Sequence, residues 1–309
     1  MQQIPRMLVP LLLTLLCITT SLFSATLSVG PAPSPFRTIQ EAVRAAQSGD
    51  TIEIAPGTYV ENIRFQKALH LKGLDRKKTL IRPANPGIPT IWIENSTKAI
   101  VESLSIEGGT IAISLAMSNA DILSNTIQSQ GDGIRAGSFD HVLLISNNVI
   151  SGSLTRAEMD TVQSNGLFLV GRGKAQIQFN EIRNFGCGLF SSGKKPCSVE
   201  RNVFVANSRG IYSVGLTEAT ITYNSFRQNY KDALLLASKS ILTITHNSFE
   251  QNDGYDIRAA VGSCNAGTGQ LFSGKVFGEG NQVESLRKVC PSDTLWPEGF
   301  FVLPGTKLP

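Results

Sequence analysis

Arginine, aromatic and carboxylate side chains recur at matched spacing through the middle of the chain, and their types suit the binding of carboxylates and of flat ring faces. One row reads Arg135, Phe168, Phe190, Tyr212, Leu235 and Arg258, and a neighbouring row reads Asp132, Asn165, Cys187, Arg209, Asp232 and Tyr255. Guanidinium forks bind carboxylates in bidentate fashion, and stacked aromatics offer platforms for sugar rings. Breaking a uronate chain by elimination needs a base near the C5 proton and a cation on the carboxylate; Lys, Arg, Tyr or calcium held by Asp/Glu fill these roles. Glycoside hydrolysis needs two carboxylates at a set separation. The candidate catalytic residues are therefore Asp132, Arg135, Asp160, Arg209, Asp232 and Arg258, with Phe168, Phe190 and Tyr212 as the candidate carbohydrate-binding surface.

Each candidate also has a structural alternative. Arg209 and Asp232 stand at equivalent places one repeat apart and can form a cross-repeat ion pair, as can Asp132 with Arg135. Asp253 and Asp256, around Gly254, could hold calcium, or could form an ordinary solvated corner; no other cofactor is implied and no metal site is assigned. His141 and His246 read as solvent or core histidines rather than bases. With only three His and four Met, a multi-histidine metal centre or a Met-rich copper site is excluded.

The element that must carry these rows is a repeat. Asn125, Asn148, Asn180, Asn202, Asn224 and Asn247 follow one another at gaps of 23, 32, 22, 22 and 23 residues, within segments such as ILSNTI at 122–127, VERNVF at 199–204 and ITHNSF at 244–249. A second register keeps the same phase, from Gly133 and Ile134 through Gly166, Gly188, Gly210 and Ala233 to Asp256 and Ile257. A period near 22 with short β-rich pieces and Asn/Gly corners predicts an all-β fold, a single-stranded right-handed parallel β-helix of about ten coils. Each coil then has a perimeter of about 70 Å and rises ~4.8 Å. Ile127, Ile150, Ile182, Phe204, Phe226 and Phe249 should form one inward stack. The asparagines should sit at a corner, where Asn tolerates left-handed geometry and its amide bonds the next coil.

The one long gap places an insertion at residues 151–163, with Arg156, Glu158 and Asp160, projecting from the helix body. This loop and the one between Cys187 and Cys197 could instead fold over the aromatic row and bury it.

The ends need covers, because an open coil exposes core and unpaired strand edges. Thr38 and Glu41 form a capping-box pattern, and Ile39, Ala42, Val43 and Ala46 give one apolar helical face. This assigns a capping helix to residues 34–48, a β-helix to 34–285 and a C-terminal cap to 286–309, where Trp296, Phe300 and Phe301 cover the last coil. Residues 1–25 read as a signal peptide. Arg6 precedes an apolar run at 8–23 that Pro10, Thr14 and Thr19 interrupt, short for a span of ~20 residues. Membrane contact would come only through this segment, if it stays uncleaved.

An exported chain, secreted or periplasmic, sits in an oxidising compartment. Cys17 leaves with the signal, and four cysteines remain; nearest-neighbour pairing predicts Cys187 with Cys197 and Cys264 with Cys290. The formal charge of +4, without Lys/Arg runs, gives no footprint for nucleic acid. It does not fix an oligomeric state.

The stretch FRTIQEAV at 36–43, GDTIEI at 49–54, PGTY at 56–59 and EN at 61–62 resembles the entry of pectin-lyase-like right-handed β-helix proteins. It is similar to the start of pectin methylesterases and of NosD-type periplasmic proteins, and with the Asn repeats the resemblance covers about residues 36–285. That superfamily includes pectate and alginate lyases, polygalacturonases, methylesterases, epimerases and members without known chemistry. Its catalytic motifs do not transfer. The methylesterase G-x-V-D-F-I-F-G, the epimerase Asp-Pro-His-Glu and the polygalacturonase N-T-D, D-D, G-H-G and R-I-K set are absent, and so is a copper-ligand cluster. The resemblance implies a partner that is a polysaccharide or surface glycan, an acidic one by the arginine rows. Two kinds of protein fit: one that recognises such a glycan, with lyase, hydrolase or esterase chemistry as an alternative, and a non-catalytic NosD-like accessory or scaffold.

Overall fold

A computed structural model describes residues 24–137, 142–193, 197–214, 218–237, 239–265, 267, 271–292 and 295–305. Residues 1–23 of the signal segment and His141 lie outside the described residues, and so does the Asp160 side chain. The chain winds as a right-handed β-helix in which each coil gives one strand to each of three sheets. The first and second sheets have 11 strands and the third has 10, all paired in parallel with the neighbouring coil. The solenoid thus has about one coil more than the sequence predicts.

Strand alternation explains the core. In Thr51–Ile54, Ile52 and Ile54 point inward; in Ser225–Arg227 only Phe226 does. In-register pairing then stacks equivalent side chains. Ile127, Ile150, Ile182, Phe204, Phe226 and Phe249 form one buried column, with Phe204, Phe226 and Phe249 stacked at ring separations of 5.1 and 4.8 Å. The Gly register has a packing cause: a Cβ on Gly188 would stand 2.6 Å from the Gly210 carbonyl and 2.8 Å from the Phe204 ring.

The asparagine column runs from Asn125 to Asn281. Each backbone N–H donates to Oδ1 of the next asparagine, as from Asn148 to Asn180 at 2.9 Å. Each Nδ2 reaches a carbonyl of the preceding coil, as from Asn180 to Ile145 at 2.8 Å. The left-handed residue is not the asparagine itself, as the sequence reading had it, but the one before it: Ser124, Asn147, Phe179, Arg201, Tyr223 and His246 have φ between 53° and 59°. That turn aims the following asparagine inward, where its amide serves both neighbouring coils. A second, shorter column, Asn207, Asn229 and Asn252, lines the far end of the second sheet.

The capping helix is shorter than residues 34–48, covering Ile39–Ala45, and both halves of the Thr38–Glu41 capping box form. Coil residues grip it at both ends. The Glu61 carboxylate accepts from the N–H groups of Ile39 and Gln40 at 2.9 Å, and Lys67 Nζ donates to the carbonyls of Val43 and Arg44 at 3.0 Å. These are the charge signs that each end of a helix favours. At the other end Trp296, Phe300 and Phe301 pack on one another, with Phe300 buried.

A disulfide joins Cys264 and Cys290. The expected partner bridge, Cys187 with Cys197, does not form: both thiols are free and buried. Cys187 opens the strand Cys187–Gly193 of the third sheet, beside Arg209 on the outward face. Cys197 opens Cys197–Glu200 of the first sheet and fills a core position between Ala175 and Ala219. An extended strand separates them, and they face opposite sides of the wall.

Candidate functional site

Both rows lie on the outward face of the third sheet. The central one is in register as Arg135, Phe168, Phe190, Tyr212, Leu235 and Arg258. It extends further than the sequence reading found, through Ser114 to Trp92 and Arg64. Those first coils lack the Gly-Ile marker that set the register, but the alternation of Ile91, Trp92 and Ile93 carries the signal.

Cations and rings interleave along this stripe. Phe168 and Phe190 stack at 5.1 Å and 8°, and Tyr212 meets Phe190 edge-on at 5.4 Å. Arg64 lies over Trp92 at 4.5 Å, Arg135 over Phe168 at 5.1 Å, and Arg258 over Tyr255 at 4.7 Å. Each of these arginines is also held by a carboxylate, Arg64 by Glu94 at 2.7 Å and Arg135 by Asp132 at 2.6 Å. Such contacts fix the guanidinium planes and leave their remaining donors for a ligand.

Asp132 and Asp232 are both buried. Asp132 Oδ1 accepts from the backbone N–H and Nδ2 of Asn165 at 3.0 and 2.9 Å. Asp232 sits between two arginines. Nε of Arg258 donates to its Oδ1 at 2.7 Å, whereas Nε of Arg209 is 3.6 Å from Oδ2, outside hydrogen-bond reach, and both of those atoms are buried without a partner. Arg258 is thus the closer member of the cross-coil pair, a choice register alone does not make. Asp132 and Asp232 stand four coil steps apart. At ~4.8 Å per coil that is about 19 Å, well beyond the roughly 5–9.5 Å of a glycosidase pair. These two carboxylates position arginines and do not form one hydrolytic centre.

The insertion at 151–163 walls one rim of the stripe and does not roof it. Met159, Thr161 and Val162 face Cys187, Phe190, Arg209 and Tyr212 across a cavity of about 270 Å³. The loop is tied down where Arg156 pairs with Asp253 at 2.5 Å and lies over the Tyr230 ring at 4.3 Å. Burial pushes the Cys187 thiol up to about 12, partly opposed by Arg209, so it is no nucleophile at neutral pH.

The remaining candidates lie elsewhere. Asp253 is engaged by Arg156, and Asp256 is buried and accepts from Asn252 Nδ2 at 3.0 Å. Among the described residues no three His, Cys, Asp or Glu side chains group together as a metal would need. His246 is an exposed corner residue stacked on Tyr223 at 5.1 Å.

Comparison with known proteins agrees with the architecture. The chain is similar to the pectate lyase Pel9A, with a TM-score of 0.62 and 12% identity, over 90% of this chain and 78% of that one. It is similar to an alginate lyase from Paenibacillus sp. str. FPU-7, with a TM-score of 0.51 and 12% identity, over 90% and 99% of the two chains. At this identity the likeness is one of fold. No curated protein matches the sequence. The family model described as right handed beta helix region matches residues 111–272, more than half of the sequence, and the chain belongs to that family.

Proposed function

We propose that this protein recognises an acidic polysaccharide on the outward face of its third sheet, outside the cytoplasm. The observation that carries the reading is the stripe from Arg64 to Arg258, in which three arginines held by carboxylates, Arg64, Arg135 and Arg258, are interspersed with the rings of Trp92, Phe168, Phe190 and Tyr212. A uronate chain laid along it meets rings for its sugar faces and guanidinium groups for its carboxylates. The pectate and alginate lyases of similar fold support the same substrate class. The Cys264–Cys290 disulfide supports a secreted or periplasmic home. Among the described residues no helix is long and apolar enough to cross a membrane.

The test is calorimetric binding of pectate, alginate, glycosaminoglycans and neutral glycans with calcium present, with mass spectrometry of any products. Acidic chains bind and neutral ones do not. Trp92→Ala and Arg135→Gln each weaken binding at least tenfold. Equal binding of neutral glycans, or wild-type affinity in both variants, overturns the reading. A mass change in the glycan adds catalysis and names the reaction.

A further inference from the structure

We infer that the site takes the end of an acidic glycan chain rather than its middle, which rests on the acidic-glycan reading above. The arginines of the stripe become less accessible along its length. Side-chain exposure falls from 59% at Arg64 to 46% at Arg135, 29% at Arg209 and 20% at Arg258. Leu235 holds an outward ladder position, yet its exposure is 0%. The stripe is therefore shallow and open at the Trp92 end and covered at the Leu235 coil.

The cavity walled by the insertion lies just before this covered coil. Its volume of about 270 Å³ is just below the range of ligand pockets, roughly 300–1,000 Å³, and suits a single sugar unit. Arg209 and Tyr212 line it, and two arginines share the one buried Asp232 carboxylate, which leaves a net positive charge at the closed end. A terminal uronate placed there sets its carboxylate toward Arg209 and its ring against Tyr212 or Phe190. The following units run out over Phe168 and Arg135 toward Trp92. Past Tyr212 the next outward position, Leu235, is out of solvent and offers a chain threaded through its middle no surface to run on.

The experiment titrates the full protein with galacturonate and mannuronate oligomers of two to eight units and with the long polymers. The same oligomers are also used with the reducing end converted to the alditol, or with an unsaturated non-reducing end. One protein per chain at every length, and at least tenfold weaker binding for one of the two end-modified sets, is the expected result. Stoichiometry that grows with polymer length, or indifference to both modifications, overturns end recognition and leaves the acidic-glycan reading standing. No binding of any uronate chain overturns both. Met159→Trp, which fills the cavity and leaves every arginine in the sequence, should lower oligomer affinity at least tenfold while circular dichroism shows the protein still folded. Unchanged affinity there also overturns the proposal.

Discussion

Nε of Arg258 donates to Oδ1 of Asp232 at 2.7 Å across a coil boundary, on a carboxylate that solvent does not reach. This bond joins the stability of the late coils to the cationic end of the stripe. Asp232→Ala removes the shared counter-charge and leaves two arginines facing each other. Removing one partner of a buried pair costs about 3–5 kcal/mol, and urea unfolding should show a loss of that order. Restoration of wild-type stability by the further change Arg258→Met would assign the loss to the unpaired charge. A loss under 1 kcal/mol for Asp232→Ala would mean that solvent reaches this carboxylate.

Asp256 predicts a pH dependence. Burial pushes its carboxyl from the ordinary value of 3.8 up to about 6, with Lys288 and the Asn252 bond opposing. The folded state therefore holds this proton more tightly than the unfolded chain does. The stability it contributes is complete below about pH 4, falls as pH rises toward 6 and is gone above it. Asp256→Asn keeps the shape and removes the titration. Its stability should match that of the wild type at pH 4 and exceed it at pH 7 by on the order of 3 kcal/mol. A difference that does not change between the two pH values contradicts the assignment.

Asn180 sits mid-column, bonded to Asn148, Asn202 and the Ile145 carbonyl. Asn180→Ala takes the acceptor from the Asn148 N–H and the side-chain donor from the Ile145 carbonyl, both in the interior. At about 1–3 kcal/mol for each unsatisfied group, the loss should reach at least about 2 kcal/mol. Hydrogen exchange should accelerate at Asn148, whose backbone donor loses its acceptor.

The cysteines give a chemical test. Mass spectrometry of unreduced peptides should find Cys264 linked to Cys290 and the other two thiols free. Cys187 and Cys197, both buried with thiols pushed up to about 12, should resist alkylation until the protein unfolds. A linked Cys187 and Cys197 would contradict the wall geometry.

The period was legible because each coil repeats a backbone requirement. An Oδ1 must meet the N–H of the preceding coil, and no Cβ fits where Gly188 approaches Gly210, so Asn and Gly return in phase. The outward rows followed from that phase. Three things did not. The two free cysteines are ten residues apart in sequence, and only their sheet assignments show that they face opposite ways. Trp92 and Arg64 were missed because the early coils put Leu104, not an asparagine, at the head of the column. Register placed Asp232 beside Arg209, while the closer bond goes to Arg258, because long side chains reach diagonally between rows.

The asparagine column separates the length of the chain from the integrity of the scaffold. Asn148 and Asn180 are 32 residues apart, Asn180 and Asn202 only 22, yet the two column bonds measure 2.9 and 3.0 Å. A whole coil can be added, or a loop lengthened between two corners, without changing any distance the column senses; a single residue inserted inside a strand turns over every later side chain of that strand. Innovation is therefore channelled into the loops. The wall beside Tyr212 can be recut while the solenoid beneath it keeps its shape.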